Sequence, residues 1–300
     1  MYKSKNDRIF DFVNIILLII LTLVLLYPLY FTVIASVSEP MDVATGQVLF
    51  LPKGFTTDAY REVFKNSEIW QAYLNSVIYT VAGTLFSLAM TIPAAYVLSK
   101  KELLGRSMLS TYFVITMFFG GGLIPTYLQV KNLGLLNKSY TLIVLGALSV
   151  YNMVIVRVYF ESAISNTLYE AAEIDGCSPI GQFFRIAIPL SKPVIAVITL
   201  YYAVAKWNDF FHGLLFLSKS SYYPLQLVLR NILIENQTRL ATMDVTNLKT
   251  EELLYMTRQA YLAESMKYAL IFISSLPMLI AYPFVQKYFV KGVMIGSIKG

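Results

Sequence analysis

Long apolar stretches alternate with shorter polar ones along most of the chain. Six of these stretches lie at about 12–37, 73–99, 108–129, 140–160, 194–217 and 267–289. Roughly 20 residues of α-helix cross a 30 Å hydrocarbon core, and each stretch reaches that length. The pattern therefore predicts an all-α membrane protein with six transmembrane helices in a single domain, 1–300. An even number of spans places both termini on the same side of the membrane.

The composition agrees with a membrane protein. The chain is 57% hydrophobic and 14% charged, with a mean hydropathy of +0.60, whereas about a quarter of the residues in a typical soluble domain are charged. Lys3, Lys5 and Arg8 precede the first apolar stretch, as they would in a secretory signal. That stretch is much longer than the roughly 7–15 apolar residues of a signal peptide, so we expect it to remain as a span.

The distribution of Lys and Arg predicts the orientation. Basic residues are denser in the short segments at 1–11, 100–107, 157–192 and 287–300 than in the longer loops at 38–72, 130–139 and 218–266. Because short cytoplasmic segments of membrane proteins carry an excess of Lys and Arg, both termini are expected in the cytoplasm. The net charge of +6 has the same explanation and gives no reason to expect a nucleic-acid partner.

The outer loops 38–72 and 218–266 are expected to contain helices. Thr57 and Thr250 stand where helix N-caps are expected, each followed by acidic residues. Apolar residues recur at helical spacing over 224–233, which predicts a helix with one buried face.

The polar loop at 161–192 carries the most informative pattern, EAAEIDGCSPIGQFFRIAIP at 170–189. Thr167 is expected to cap a short helix, with Glu170 completing a capping box and Gly176 ending the helix in the left-handed conformation. Leu168, Ala171 and Ala172 then share a nearly flat face that another protein can approach closely.

A second short helix is predicted in the same loop. Ser178 and Pro179 form a typical N-cap and N1 pair, and the helix is expected to stop at Pro189. The loop would then be a helix–glycine–helix protrusion. By itself, this is also what an ordinary surface hairpin between two spans looks like.

The sequence argues against an enzyme. His212 and Cys177 are the only histidine and cysteine, too few for a usual zinc site or a Cys-His pair. The chain contains no Gly-Lys dipeptide and therefore no phosphate-cradling Walker loop. We expect no metal or cofactor on this chain, and if ATP drives its function, a different chain must bind the ATP.

Helix-breaking residues point to a possible translocation path. Gly120, Gly121 and Gly122 interrupt the third stretch, and prolines interrupt others at Pro28, Pro93, Pro277 and Pro283. Broken helices inside a membrane need neighbouring helices or water to satisfy their backbone, which favours the interior of a bundle. Ordinary helix kinking is the alternative.

Charged residues occur within the fifth stretch. Lys206 and Asp209 are three residues apart on one helical face, so they either neutralise one another or line a polar path. Between them, Trp207 and Asn208 have the chemistry to stack on and hydrogen-bond a sugar, although packing is the commoner role of a tryptophan in a span. Trp207, Asn208 and Asp209 join the three glycines as candidate path residues.

The spacing in the polar loop resembles the EAA loop of permease subunits of bacterial ATP-binding-cassette (ABC) importers. The residues on the positions of that motif are Glu170, Ala171, Ala172, Asp175, Gly176, Ile186 and Pro189, and Ile188 stands where Leu is commoner. The resemblance implies a type I ABC importer permease fold, with 161–192 as a cytoplasmic coupling loop docked in a groove of an ATPase subunit.

Four further segments, at 118–128, 207–209, 223–233 and 286–300, are together similar to permeases of the carbohydrate-uptake branch, particularly oligo- and polysaccharide importers. The resemblance implies a bacterial cell membrane location and alternating access. It also implies as partners a second homologous permease, two ATPase subunits that bind ATP and Mg, an extracytoplasmic solute-binding protein and a saccharide. Another solute, such as a peptide, amino acid or phosphate, remains an alternative, as does a self-sufficient secondary carrier.

The resemblance also covers the C-terminal tail. It implies that Gly296, Lys299 and Gly300 contact the ATPase. Because Gly292, Gly296 and Gly300 add backbone flexibility, we do not expect this segment to form a stable helix.

Overall fold

The computed structural model describes residues 4–242 and 250–297. These residues form helices joined by turns and contain no strand. They fall into two compact units, one comprising the residues up to Ile69 with Leu229–Leu276, the other Trp70–Val228 with the residues from Pro277 on.

The first unit contains three helices from the start of the chain, α1 (Lys5–Ser36), α2 (Pro40–Ala44) and α3 (Asp58–Lys65). Apolar side chains are exposed along most of α1, as expected of a helix that faces lipid or other subunits. The end of α1 is joined to α3 by a hydrogen bond between the Ser36 and Tyr60 hydroxyls, 2.8 Å apart.

The second unit contains the helices in the middle of the chain. They are α4 (Ser67–Ser99), α5 (Arg106–Phe118), α6 (Leu123–Asn132), α7 (Thr141–Val144), α8 (Val150–Ala163), α9 (Asn166–Ile174), α10 (Pro179–Gln182), α11 (Ile188–Leu190), α12 (Lys192–Trp207) and α13 (Phe211–Phe216). Helix α4 begins at the boundary of the first unit. Helices α14 (Leu225–Thr242) and α15 (Thr250–Ser297) each contribute to both units.

Three helical segments of the described chain are long and apolar enough to cross a membrane, namely Asn6–Ser36, Ser67–Ser99 and Ala260–Phe284. Two bent pairs add candidates. The chain bends by 114° between α5 and α6, and by 80° between Pro179–Leu190 and α12. Counting each pair as one span gives five.

The break predicted in the third stretch is present. Helix α5 ends at Phe118 and α6 begins at Leu123, with Gly122 at a φ of +84°. A residue with a Cβ rarely adopts that angle, so the glycine permits the sharp bend.

The fourth stretch, predicted as a helix over 140–160, departs from a continuous span. Its first part is the single turn α7 followed by irregular backbone through Gly146, which has a φ of +67°, and α8 starts only at Val150. The carbonyl groups freed by this irregularity are bonded by Lys206, as described below. The fifth stretch is also divided, into α12 and α13.

The four isolated prolines do not interrupt their helices. Pro28 lies inside α1, Pro93 inside α4, and Pro277 and Pro283 inside α15. The Thr32 hydroxyl donates to the Pro28 carbonyl at 2.9 Å.

The helices predicted in the outer loops are present. Helix α3 buries Ala59 and Val63, and α15 begins at Thr250 as predicted. Helix α14 buries Leu225, Val228 and Leu229.

The tail differs from its prediction, because α15 continues through Gly292 and Gly296 to Ser297. A glycine costs only about 1 kcal/mol in a helix interior, too little to end a long helix. Lys299 and Gly300 lie outside the described residues.

The core of the second unit joins α4, α8 and α12. Its buried residues are Ile92, Ala95, Tyr96, Leu98, Met153, Val156, Phe160, Ile164, Ala187, Val194 and Ile198. A buried hydrogen bond between the Thr91 and Tyr202 hydroxyls, 2.6 Å apart, ties α4 to α12. Ile164 and Ala187 belong to the polar loop, so this core holds both ends of that loop.

Candidate functional site

The polar loop folds into a helical hairpin, Ser165–Leu190. Its first helix, α9, is capped by Ser165, whose hydroxyl oxygen accepts a hydrogen bond from the Thr167 N–H at 3.3 Å. The prediction that Thr167 caps the helix with Glu170 in a capping box is wrong. The helix starts at Asn166, so Thr167 lies within its first turn.

Gly176 ends the first helix as predicted, with a φ of +75°. The N–H of Gly176 donates to the Glu173 carbonyl at 2.9 Å, and that of Cys177 to the Ala172 carbonyl at 2.8 Å. These bonds satisfy two carbonyl groups at the helix end. A Cβ on Gly176 would meet no atom within 4 Å, so only the backbone angle requires glycine here.

The second helix starts as predicted. The Ser178 hydroxyl accepts from the Gly181 N–H at 3.2 Å, and Pro179 occupies the first helical position. A Cβ on Gly181 would lie 2.9 Å from the Cys177 sulfur, so this glycine lets the turn fold closely on the helix.

The second helix does not stop at Pro189. It widens into a π-helical turn, Phe183–Ala187, and continues through Pro189 to Leu190. Proline has no N–H to donate and is tolerated in a first turn, where that N–H would lack a partner. The change of helix type at Ile188 places Pro189 in such a turn.

The outer surface of the hairpin exposes apolar side chains beside the EAA residues. Ile174 is 87% exposed, Ile180 72% and Phe184 61%. The EAA residues divide into exposed positions, Glu170, Ala171, Asp175, Gly176 and Pro189, and half-buried ones, Ala172 and Ile186. An apolar surface with few charges at its centre is typical of a protein interface.

The inner surface of the hairpin is fixed by aromatic contacts. The ring of Tyr96, at the end of α4, lies 5.0 Å from that of Phe183 and 6.2 Å from that of Tyr169, between centroids. The Lys100 ammonium group lies 3.2 Å from the centre of the Tyr169 ring. These contacts join both hairpin helices to α4.

Burial changes the acidity of both polar groups in this contact. Burial, with a smaller effect of Tyr96, raises the pKa of Tyr169 to about 12. Burial lowers the pKa of Lys100, and the charges of Glu102 and Glu173 oppose that change. A cation over an aromatic face is most favourable when desolvated, as here.

A cleft of about 680 Å³ lies beside the hairpin. Lys100, Lys101 and Glu102 line one wall, and Glu170 and Glu173 line another. The cleft carries charges of both signs, which suits a polar segment of another protein.

The candidate path residues do not form one cluster. Gly120, Gly121 and Gly122 are exposed at the bend between α5 and α6. Trp207 is buried, and its ring meets that of Tyr73 edge to face at 5.8 Å, so it packs within the unit. Asn208 is exposed at the end of α12 and donates to the Val204 carbonyl at 2.9 Å.

Lys206 and Asp209 bond to different partners rather than to one another. The Lys206 ammonium group donates to the carbonyls of Leu142, at 2.8 Å, and of Ile143 and Leu145. The Asp209 carboxylate instead holds Nδ1 of His212 at 2.8 Å. Lys206 therefore satisfies carbonyls of α7 and of the irregular backbone that follows it.

Several residues of this arrangement were not predicted. They are Tyr96, Lys100, Ser165 and His212, together with Gly83 of α4, which lies against the Lys206 side chain. The lone histidine stacks on Phe216, with ring centres 6.0 Å apart, and Phe216 stacks on Tyr127 of α6 at the same spacing. Only the rarity of histidine singled it out in the sequence.

A family model for the inner membrane component of binding-protein-dependent transport systems matches residues 68–295. The chain belongs to this family. It is therefore a multi-pass membrane protein of the transport-permease type, and the matched region contains the hairpin and every candidate path residue.

Relatives of known description cover nearly the whole chain. Protein LplC of Bacillus subtilis is 41% identical over 300 residues, which are 100% of this chain and 98% of LplC. The polygalacturonan/rhamnogalacturonan transport system permease YtcP of the same species is 37% identical, over 98% of this chain and 100% of YtcP.

A solved structure has the same fold. It is the crystal structure of a bacterial ABC transporter involved in the import of the acidic polysaccharide alginate, and one of its chains matches with a TM-score of 0.84. The two chains are 35% identical, and the match covers 96% of this chain and 99% of the other.

Proposed function

We propose that this chain is a permease subunit of an ATP-driven importer for oligosaccharides or polysaccharide fragments. The observation that carries the proposal is the hairpin with the EAA spacing. Its outer side exposes apolar side chains, and its inner side packs on the core of the second unit. The saccharide class is supported by YtcP, a polygalacturonan/rhamnogalacturonan permease, and by the solved transporter, which is involved in alginate import.

In this proposal the hairpin is the coupling element. Ile174, Ile180 and Phe184 would enter a groove of an ATPase subunit, and Glu170 and Asp175 would meet its basic groups. The aromatic contacts of Tyr96 and the burial of Ile164 and Ala187 make the hairpin move with α4, α8 and α12. Movement of the ATPase would thus be transmitted to the spans.

We further propose six spans with both termini in the cytoplasm. The three long helices supply three spans, and the α5–α6 pair, α8 with its preceding irregular segment, and α12 with α13 supply the others. Discontinuous helices are tolerated in membranes where the freed backbone is bonded internally, as Lys206 does after α7.

The proposed partners follow from the permease role. They are a second homologous permease, two ATPase subunits that bind ATP and Mg, and an extracytoplasmic solute-binding protein. The tail residues Gly296, Lys299 and Gly300 are proposed as a second ATPase contact. Gly120, Gly121, Gly122, Asn208 and Asp209 are proposed to line the path, and Trp207 to support it from its buried position.

Uptake by proteoliposomes tests the proposal. The complete complex with its binding protein, given ATP inside, should accumulate oligogalacturonides or alginate oligosaccharides and not peptides. Uptake that needs an ion gradient and no ATPase subunit would instead establish a secondary carrier. Uptake of peptides alone would leave the ABC mechanism in place and overturn the saccharide assignment.

A further inference from the structure

A second, basic cavity lies at the start of α5 and shares Lys101 and Leu103 with the cleft beside the hairpin. Its volume is about 500 Å³, and it is lined by Lys101, Leu103, Gly105, Arg106, Ser107, Ser110, Thr111 and Arg157. The lining thus holds three cations, three hydroxyl groups and no carboxylate, and the Ser110 hydroxyl already donates to the Arg106 carbonyl at 2.7 Å. Such a set is suited to a phosphate group.

The two arginines are held in place on this cavity. Arg106 donates to the Leu98 carbonyl at 2.8 Å and to Glu161, and Arg157 donates to Glu161 and to the Ser110 hydroxyl, both at 2.8 Å. Their side chains are only 25% and 22% exposed. One carboxylate therefore serves two guanidinium groups, and each guanidinium has five N–H donors, more than these bonds use.

The backbone adds to the positive potential. Helix α5 begins at Arg106 after Gly105, and no side chain caps it. The N–H of Arg106 donates to the Leu103 carbonyl at 3.2 Å. The N–H groups that follow it, with the positive end of the helix dipole, lie at the start of α5 and favour a bound anion.

The surface beside the cavity is apolar. Met108 and Tyr112 are four residues apart in α5, on one face of the helix, and are 74% and 62% exposed. Leu104, in the turn before α5, is 93% exposed. A ligand with an anionic head and an apolar tail would match the cavity and the face at once.

We propose that this cavity binds the phosphate of an anionic phospholipid, whose acyl chains lie along the apolar α5 face of Met108 and Tyr112. The turn at 100–107 belongs to the proposed cytoplasmic surface, where basic pockets between helices meet anionic headgroups. The inference is independent of which solute the importer carries. A zwitterionic lipid would bind more weakly, because its ammonium group meets three cations.

Binding of phosphatidylglycerol to the purified complex tests the proposal. Lipid bound to the complex would be counted by native mass spectrometry as phosphatidylglycerol is titrated in detergent, with phosphatidylcholine as the comparison. We expect one saturable site that prefers phosphatidylglycerol. Lys101→Gln should weaken it about fivefold, since one basic residue near an anionic lipid contributes roughly 1 kcal/mol.

A matched pair of variants guards against misfolding. Ser107→Asp places a carboxylate in the cavity, which should repel an anionic headgroup and abolish lipid binding. Because an acidic residue in the first turn stabilises a helix, the complex should still fold. Ser107→Asn should bind phosphatidylglycerol as the wild type does. Equal binding by the Asp and Asn variants would overturn the proposal.

Two further results would also overturn it. Displacement of phosphatidylglycerol by excess inorganic phosphate, with equal affinity for the two, would identify a site for a free anion. Unchanged phosphatidylglycerol binding in Lys101→Gln would show that no lipid site depends on this lysine. Because Lys101 also lines the cleft beside the hairpin, a simultaneous loss of ATPase retention would place its role in that cleft.

Discussion

Gly83 of α4 lies directly against the side chain of Lys206 in α12. A Cβ on Gly83 would lie 3.1 Å from both Cδ and Cε of the lysine. The missing side chain leaves room for the lysine stem, and the ammonium group then reaches the carbonyl of Leu142 at 2.8 Å. The buried ammonium group of Lys206 is thus satisfied by backbone carbonyls of the short helix α7 and of the irregular segment after it.

Lys206→Met should destabilise the permease. The substitution keeps the length of the side chain but leaves the carbonyls of Leu142 and Ile143 without their donor. A buried polar group that loses its partner costs about 1–3 kcal/mol. The thermal midpoint of the purified complex should fall, whereas Lys131→Met, at an exposed position, should leave it unchanged.

Gly83→Leu should have a similar effect by displacing the lysine. Because both changes break the same contact, the double variant should lose less stability than the sum of the single ones. Additive losses would show that Gly83 does not act through Lys206.

Substitutions at Gly176 separate backbone angle from side-chain bulk. Gly176→Val forces a β-branched residue into the left-handed region, at a cost of more than about 1 kcal/mol, and should reduce both ATPase retention and uptake. Gly176→Asn should be largely tolerated, since Asn adopts that region readily and the added atoms meet open space. If the two variants behave alike, the angle is not what makes glycine necessary here.

Substitution of Ser165 should affect the stability of α9, whereas substitution of Glu170 should affect retention of the ATPase. Ser165→Ala removes the observed cap and should lower the stability of α9 by about 0.5–2 kcal/mol, measured as faster amide hydrogen exchange in that helix. Glu170→Ala should leave exchange unchanged, because it is exposed and takes no part in the cap. It should nevertheless reduce the amount of ATPase that co-purifies. Faster exchange in Glu170→Ala would support the capping role that the structure does not show.

Local sequence patterns predicted the hairpin, the end of its first helix and the start of its second, but not the first cap or the turn at Pro189. Gly176 and Ser178-Pro179 were predictable because few residues favour a left-handed helix end or a helix start. The first cap was misassigned because Ser165 and Thr167 both have the required hydroxyl, and the choice depends on where the chain leaves the core at Ile164. The turn at Pro189 depends on a π-helical segment that no residue pattern marks.

Long-range partners could not be read from the sequence. Asp209 is the nearest acid to Lys206 along the chain, yet the lysine bonds to carbonyls 61–64 positions away. Only the folded structure brings the irregular backbone at 142–145 to α12. Proline likewise predicted breaks that do not occur, since α1, α4 and α15 continue past their prolines.

Glu161 should make the stability of the complex depend on pH. Burial raises the pKa of this carboxyl, but hydrogen bonds from Arg157 and Arg106, together with their charges, outweigh burial and leave the pKa below its ordinary value of 4.5. A carboxyl whose pKa is lower in the folded than in the unfolded state stabilises the folded protein. This contribution is complete above the pKa of the unfolded state, and it is lost as the pH falls through the pKa of the folded state. The thermal midpoint of the wild type should therefore drop more steeply below about pH 4.5 than that of Glu161→Gln.

The exposed pair of Glu62 and Lys65 provides the control for this comparison. Both side chains lie on the surface of α3 and form a salt bridge at 2.6 Å. Exposed pairs contribute little to stability, so Glu62→Gln should retain the wild-type pH profile. Equal profiles for Glu161→Gln and the wild type would exclude a stabilising role of the Arg106–Glu161–Arg157 contact.

The central claim is that the hairpin is the surface on which an ATPase subunit acts. Its most direct test is the reactivity of a single thiol at Ile174, introduced as Ile174→Cys together with Cys177→Ser, since Cys177 is the only native cysteine. Leu51→Cys in the same background provides an exposed reference site outside the hairpin. Maleimide labelling at position 174 should be rapid in the permease alone and fall to a small fraction of that rate in the complex with the ATPase, while position 51 stays unchanged. Undiminished labelling at position 174 in a complex that retains its ATPase would contradict the account.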